Sequence, residues 1–510
     1  MTSANLYLRF QHSFSQQPQS IAIETEDGHL WSFADLELKS AQMANWMEHL
    51  GLQTGDRVMV QVEKSAPALI FYLACLRAGV VYVPLNTAYQ AAELAYFMEN
   101  AEPKLFIGDP EQTSVLSALT QRLNIPHLYT LGSQGDGSLM PAIQTQSTRH
   151  TVRATAMDDL AAILYTSGTT GRSKGAQLTH GNLGTNVQTL HSLWGWEPGD
   201  VLIHSLPIFH VHGLFVAAHL ALLNASRMLW MDRFKPQLVL NWLPRATVFM
   251  GVPTLYVRLL QEPRLTQQVC AHMRLFISGS APLLTETFTN WQTHTGHTIL
   301  ERYGMSETVM LTSNPYRATE GSRVGGTVGR PLPGVQVRCA DAQGQPCAVE
   351  EIGSVEVRGP NVFPGYWHMP EANAKEFTAD GWFKTGDVGK FDAQGYLTIV
   401  GRSKDLIITG GYNVYPAEVE SYLNDIEGIE ESAVIGCPHP DFGEGVVAII
   451  IATPGTELDT GILIHTLKNK IASFKVPKKL FVLDNLPRNA MGKVQKNLLR
   501  QSYAHVFDTR

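Results

Sequence analysis

Three glycines and five hydroxyl side chains fall within residues 166–175, TSGTTGRSKG. Glycines let the backbone approach a charged group closely, and hydroxyls and amides supply donors. Thr166, Ser167, Gly168, Thr169 and Thr170 with Lys174 therefore suit a polyphosphate. The Gly-Lys-Ser/Thr ending of a P-loop is missing, and a solvated glycine loop has the same composition. In YGMSET, residues 303–308, Glu307 stands among hydroxyls. Mg²⁺ bound with phosphates needs only one or two protein carboxylates, so Glu307 is a candidate ligand. The plainer role is a capping carboxylate at a helix start.

Two further segments, GWFKTGD (381–387) and GRSKDLIITGG (401–411), place Asp387 and Arg402 beside glycines. A carboxylate can accept from both hydroxyls of a ribose diol, although a turn Asp and a surface Arg read equally well. Lys493 follows Gly492 in PRNAMGKVQKNLLR (487–500). Residues 468–500 hold nine Lys/Arg against one acid, Asp484. In a chain of net charge −7 that excess points to an anionic ligand such as coenzyme A, or to a solvated basic face. In MRLFIS (273–278), strand alternation puts Arg274, Phe276 and Ser278 on one face. A charge there needs a partner, either an internal acid or a carboxylate on a substrate. His212 and Arg258, near two other strand ends, are candidates to assist.

These residues gather where apolar runs end. Strands are expected at 160–165, 201–206, 247–250, 273–277 and 298–302, with helical segments between them. That rhythm predicts an α/β fold with a largely parallel sheet, whose ligands bind beyond the carboxyl ends of the strands. After residue 321, short alternating runs such as 353–359 and 395–401 predict antiparallel strands and a small β-barrel. A helix at 416–423 and strands at 431–436 and 446–452 predict a small α+β unit. A chain of 510 residues exceeds one core, so the expected domains are 1–402 and 403–510.

The global charge excludes a basic field for nucleic acid. Five cysteines without metal-ligand spacing suggest reduced thiols. The first residues lack a signal-peptide pattern, and the apolar stretch 213–223 is too short to cross a bilayer and reads as a buried helix. A cytoplasmic protein is the expectation.

YTSGTTGRSKG, ERYGMSET, GWFKTGD, GRSKDLI and PRNAMGKVQK together resemble the adenylate-forming ligases, in order and at family-like distances over residues 160–500. That family includes acyl-CoA synthetases, luciferases and the adenylation domains of peptide synthetases. The resemblance implies that residues 166–175 hold the ATP phosphates. It implies that Gly279, Ser280 and Ala281, with Tyr303 and Gly304, form the adenine pocket. Thr308 and Glu307 match a phosphate contact and the Mg²⁺ ligand, and Asp387 and Arg402 match the ribose pair. Lys493 matches the lysine that bridges acyl carboxylate and α-phosphate. Lys404 takes the hinge position of a mobile C-terminal domain, where many relatives carry Asp. His210 matches a gate to the acyl site, beside Met305. Gly410 and Gly411 match the pantetheine tunnel, with Tyr412, Lys475 and Lys478 as further coenzyme A contacts. Ala176 and Gln177 depart from the apolar residues common there.

Within the family the likeness is strongest to the malonyl-CoA synthetase subfamily, which implies malonate as the acid and Arg274 as the partner of its distal carboxylate. The alternatives are a fatty or aryl acid, a carrier protein in place of coenzyme A, and a nucleotide-binding regulator without catalysis.

Overall fold

A computed structural model describes residues 3–166, 173–410, 412–489 and 492–508. Ser167, Gly168, Thr169, Thr170 and Gly411 lie outside the described residues.

Two sheets carry the large unit. In the nine-stranded sheet, six neighbouring strands run parallel: Leu300–Met305, Leu275–Ser278, Val248–Gly251, Val201–His204, Arg227–Trp230 and Ile21–Thr25. Most of their residues are buried, as strands covered on both faces require. The six-stranded sheet is parallel from His127–Thr130 to Leu160–Thr166. Its last strand, Lys174–Thr179, pairs antiparallel with Leu160–Thr166. The helix follows at His180–Leu193, started by a reciprocal cap between Thr179 and Asn182.

The expected buried helix at 213–223 is a π-helical segment, His212–Ala218, continued by His219–Leu223. The region read as a small barrel pairs as a four-stranded antiparallel sheet, Gln336–Ala340, Gly353–Arg358, Phe383–Phe391 and Leu397–Arg402.

From Ile407 a further sheet begins, dominated by the hairpin of Ile429–His439 and Gly443–Ala452. Strand alternation splits its apolar side chains between two cores. Val434, Val446, Ala448 and Ile450 pack with helices Pro416–Asn424 and Thr460–Lys468. Ala433, Ile435, Val447 and Ile449 pack on the other face with Leu499 of helix Lys496–Ser502.

Candidate active site

The parallel strands deliver their polar residues at their carboxyl ends. Thr166 closes the Leu160–Thr166 strand, and its hydroxyl lies 3.4 Å from Glu307 Oε1. Tyr366 donates to the same oxygen at 2.9 Å. Burial pushes the Glu307 carboxyl above its ordinary pKa, against the opposing pull of Tyr366, Arg402 and Thr166. The Lys174 ammonium pairs with Glu376 at 2.9 Å and lies 4.9 Å from the centre of the Tyr366 ring. Thr308 is fully buried, and its hydroxyl has no hydrogen-bond partner among the described residues. An orphaned buried hydroxyl at a strand end suits a ligand oxygen.

The four-stranded sheet sets Asp387 directly across from Arg402, and the two pair at 2.6 Å. Tyr303 donates its phenol proton to Asp387, linking that sheet to the end of Leu300–Met305. Gly304 sits where a side chain has no room: a Cβ would lie 1.9 Å from the Val309 carbonyl oxygen.

A second group of side chains surrounds Arg302. This residue is 2% exposed, and its Nε and Nη2 have no partner among the described residues. A Cβ on Gly279 would lie 2.6 Å from its guanidinium carbon, so glycine there is what admits the cation. Burial lowers the Arg302 pKa to about 9, which leaves it charged at neutral pH. His210 and His212 face the same cation. Withdrawal from solvent, then Lys493, then Arg302 bring His210 down to about 3, and burial with Arg302 holds His212 far below its ordinary value. Both rings are therefore neutral at pH 7. His212 donates its amide to His210 Nδ1 at 3.3 Å, and its own Nδ1 lies 3.3 Å from Ser280 Oγ. Ser280 holds a left-handed φ of 72°, the kind of backbone strain that collects at binding sites. Ser278 ends its strand fully buried, its hydroxyl without a partner among the described residues, and Met305 ends the neighbouring strand. Ala281 follows in the same turn, partly buried, while Arg258 is exposed on helix Pro253–Leu260.

Lys493 reaches this cleft from the C-terminal unit. A Cβ on the preceding Gly492 would lie 3.5 Å from Thr254 Oγ1, at the start of Pro253–Leu260. The Lys493 side chain keeps contact with solvent. Even so, the surrounding walls and the Arg402 and Arg302 cations hold its pKa below the ordinary lysine value, against Asp387 and Glu307.

Arg274 requires a correction. Its amide donates to Thr247 O before the Leu275–Ser278 strand begins, so it stands at the amino end of that strand, opposite the site. Its guanidinium forms a two-pronged pair with Asp200, with Nε at 2.8 Å, and donates to Trp194 O at 3.2 Å. The internal acid is its partner. Strand alternation does not apply to Arg274, which lies just before the strand. Arg274→Met is accordingly expected to leave the acid KM within about twofold, while the unpaired Asp200 lowers Tm, a loss of about 3–5 kcal/mol for a broken buried pair. Kinetics and calorimetry on one preparation check this.

The basic run at 468–500 is also less free than its sequence. Lys475 pairs with Glu418 at 2.5 Å, Lys496 with Glu420 at 2.6 Å, Arg500 with Asp405 at 2.5 Å, and Arg488 with Glu431. The acids come from outside the run, which composition along the chain cannot reveal. Lys478 lies 4.0 Å from the centre of the Phe442 ring, Gly410 turns beside Phe442, and Tyr412 stacks on Phe474. Lys404 is exposed in the short turn Ser403–Asp405, between the last strand of the four-stranded sheet and Ile407–Thr409.

Arg302 and Tyr366 are the residues that motif reading passed over. Arg302 carried the same signal as Arg274, a cation in an apolar strand, but at the carboxyl end. Its neighbour Glu301 points elsewhere and accepts from Leu283 N at 3.2 Å, its second oxygen orphaned. Burial raises its pKa from 4.5 to about 8. Below pH 4.5 the carboxyl is protonated in both folded and unfolded chains. Between 4.5 and about 8 only the folded chain keeps the proton, so stability falls as pH rises through that window. Glu301→Gln removes this dependence, and its Tm is expected to gain on wild type steadily from pH 5 to pH 8.5. Parallel Tm curves contradict the assignment.

Buried polar side chains at the carboxyl ends of parallel strands, a paired Asp387 and Arg402, and Lys493 brought up by the C-terminal unit are what an adenylate-forming enzyme would require. Residues 10–367 match the AMP-binding enzymes and residues 418–493 match their C-terminal domain; the chain belongs to this family. It is 36% identical to a mitochondrial malonate–CoA ligase of Mus musculus, over 95% of this chain and 88% of that one. It is 32% identical to a feruloyl-CoA synthase of an Amycolatopsis species, over 95% and 96%. Among solved structures, ATP-bound MatB from Rhodopseudomonas palustris superposes with a TM-score of 0.96 at 51% identity, covering 99% of this chain and 100% of that one. The apo form of the same protein gives 0.85 at 50% identity, with the same coverage. The present arrangement is thus nearer to the nucleotide-bound form. Among the described residues no helix is long and apolar enough to cross a membrane.

Proposed function

We propose that this chain joins malonate to coenzyme A, using ATP, through a malonyl-adenylate, with AMP and pyrophosphate released. The observation that carries the reading is Arg302: a buried cation whose Nε and Nη2 have no partner among the described residues, facing His210, His212 and Lys493. A dicarboxylic acid supplies a partner for it and leaves the other carboxylate for Lys493. An apolar or aryl acid buries the guanidinium unpaired, which disfavours such acids. The likeness to the malonate–CoA ligase and to MatB supports the same choice.

In the first half-reaction a malonate carboxylate oxygen attacks the α-phosphorus and pyrophosphate departs. Negative charge on the phosphoryl oxygens is met by donors already in place, Lys493 and the Thr308 hydroxyl. Neutral His210 and His212 give the acid hydrogen bonds without competing with Arg302 for its distal charge. Asp387 and Arg402 hold the ribose, and Tyr303 steadies Asp387. Among the described residues no cluster of three or more metal-ligating side chains occurs. Glu307 alone, with the Thr166 hydroxyl beside it, fits Mg²⁺ carried in on the phosphates, which needs few protein ligands. When bound, such a cation would neutralise charge on the phosphate oxygens.

In the second half-reaction the coenzyme A thiolate attacks the acyl carbon and AMP leaves. No protein nucleophile is required. Gly410, Gly411, Tyr412 and Lys478 are the proposed contacts for coenzyme A. Lys475 joins them if its pair with Glu418 opens. The proposed mobile unit is 403–510, turning about Lys404. Pyrophosphate release tested over a panel of acids checks the reading: malonate is expected to lead, and a monocarboxylic or aryl acid in first place overturns it.

A further inference from the structure

Lys64 follows the Arg57–Gln61 strand of the six-stranded sheet and is buried. Its ammonium crosses to the nine-stranded sheet and donates to the carbonyls of His204 at 2.8 Å and Met231 at 2.7 Å. These residues end, or directly follow, the adjacent parallel strands Val201–His204 and Arg227–Trp230. The ammonium also lies 4.4 Å from the centre of the Trp230 ring. Burial lowers the Lys64 pKa, with Asp232 and Glu26 opposing, and the two carbonyls satisfy its N–H donors. None of the phosphate, ribose or acid contacts uses it.

What it serves lies downstream of His204. That ring stacks on Trp230 with centroids 4.5 Å apart, and its Nε2 is 2.8 Å from the Gly213 carbonyl oxygen. A carbonyl only accepts, so Nε2 carries the hydrogen. Gly213 is packed so closely that a Cβ would lie 2.0 Å from the Pro207 carbonyl oxygen. Residues 204–213 therefore form a loop closed on itself. Lys64 pins its first residue, and the His204 ring pins its last. His210 and His212 are carried inside that loop.

We infer that Lys64 and His204 are positioning residues for the acid: together they fix the loop that presents His210 and His212, without touching substrate. The inference rests on the proposed placement of the acid beside those two histidines. It does not depend on which acid is used, because the test takes whichever acid the wild type adenylates best.

Steady-state pyrophosphate release is measured with acid and ATP varied in turn, for Lys64→Met, His204→Phe and His204→Gln. His204→Phe keeps a ring on Trp230 and loses the donor, whereas His204→Gln restores an N–H. Misplacing a substrate contact by about 1 Å costs as much as a hundredfold. Lys64→Met and His204→Phe are thus expected to raise the acid KM about tenfold or more, with the ATP KM within about twofold. His204→Gln is expected to recover most of the loss. The inference is overturned if folded His204→Phe keeps the wild-type acid KM, or if the acid and ATP KM values rise together. It is overturned equally if His204→Gln is as impaired as His204→Phe, or if neither His204 variant folds, since the ring then serves the fold alone. Should Lys64→Met fail to fold, the His204 pair decides. A wild type that prefers an acid other than malonate contradicts the proposed substrate and leaves this comparison intact.

Discussion

Arg302→Met is expected to lose malonate adenylation by about two to four orders of magnitude while the protein becomes no less stable. The two halves of that result come from one fact. The guanidinium is buried, its Nε and Nη2 have no partner among the described residues, and its pKa is depressed to about 9. An unpaired buried cation works against the fold, so exchange for an apolar side chain of similar length relieves a cost. When malonate is bound, the same exchange leaves a carboxylate buried without its partner, a loss of about 3–5 kcal/mol in kcat/KM. Short monocarboxylic acids have no second charge to strand and are expected to gain relative to malonate. Arg274→Met should behave in the opposite way, losing stability and keeping selectivity, because its partner Asp200 belongs to the protein. Measuring Tm and malonate kcat/KM for both variants checks the crossed pattern. If Arg302→Met retains malonate selectivity, the diacid assignment is wrong.

Lys493→Ala is the second large effect. The ammonium stands between Arg402, Arg302, Asp387 and Glu307, where acyl carboxylate and α-phosphate are proposed to meet. Removing a donor aimed at charge that develops in the transition state costs about 2.7–4 kcal/mol. Adenylate formation is therefore expected to fall at least a hundredfold. Thioester formation from supplied malonyl-AMP should stay near wild type, because the proposed turn of residues 403–510 takes Lys493 out of the site for that step. The depressed pKa adds a pH signature. Lys493 must be protonated to act, so adenylation should decline on the alkaline side at a lower pH than an ordinary lysine dictates. Lys493→Arg should move that limb upward. Separate assays of the two half-reactions settle the role, and equal losses in both contradict it.

The strands were legible because apolar runs that end abruptly in glycine or hydroxyl residues leave few other conformations. The expected run at 160–165 folds as Leu160–Thr166, and the run at 446–452 lies within Gly443–Ala452. The nucleotide motifs rested on their order along the chain, because glycines and hydroxyls clustered at a strand end also fit a solvated loop. Side-chain partnership was not legible. Nothing local to MRLFIS announces that Asp200, far back in the chain, takes Arg274. Nothing within 468–500 announces that Glu418, Glu420, Glu431 and Asp405 neutralise four of its cations. Tyr366, which bridges Glu307 and Lys174, lies about sixty residues from the first and nearly two hundred from the second, a separation that only the tertiary fold closes. Arg302 was within reach of sequence reasoning. The rule that ligands bind at the carboxyl ends of parallel strands, applied to the ERYG strand, favours it over Arg274.

The most direct test of the central claim is a competition. Malonate, acetate, hexanoate and ferulate are supplied together at equal concentration with ATP, Mg²⁺ and coenzyme A, and the thioesters formed are quantified by mass spectrometry alongside AMP. Malonyl-CoA in large excess over the other thioesters, with AMP formed in equal amount to total thioester, is the expected result. Feruloyl-CoA or an acyl-CoA as the main product, or AMP formed without any thioester, contradicts it.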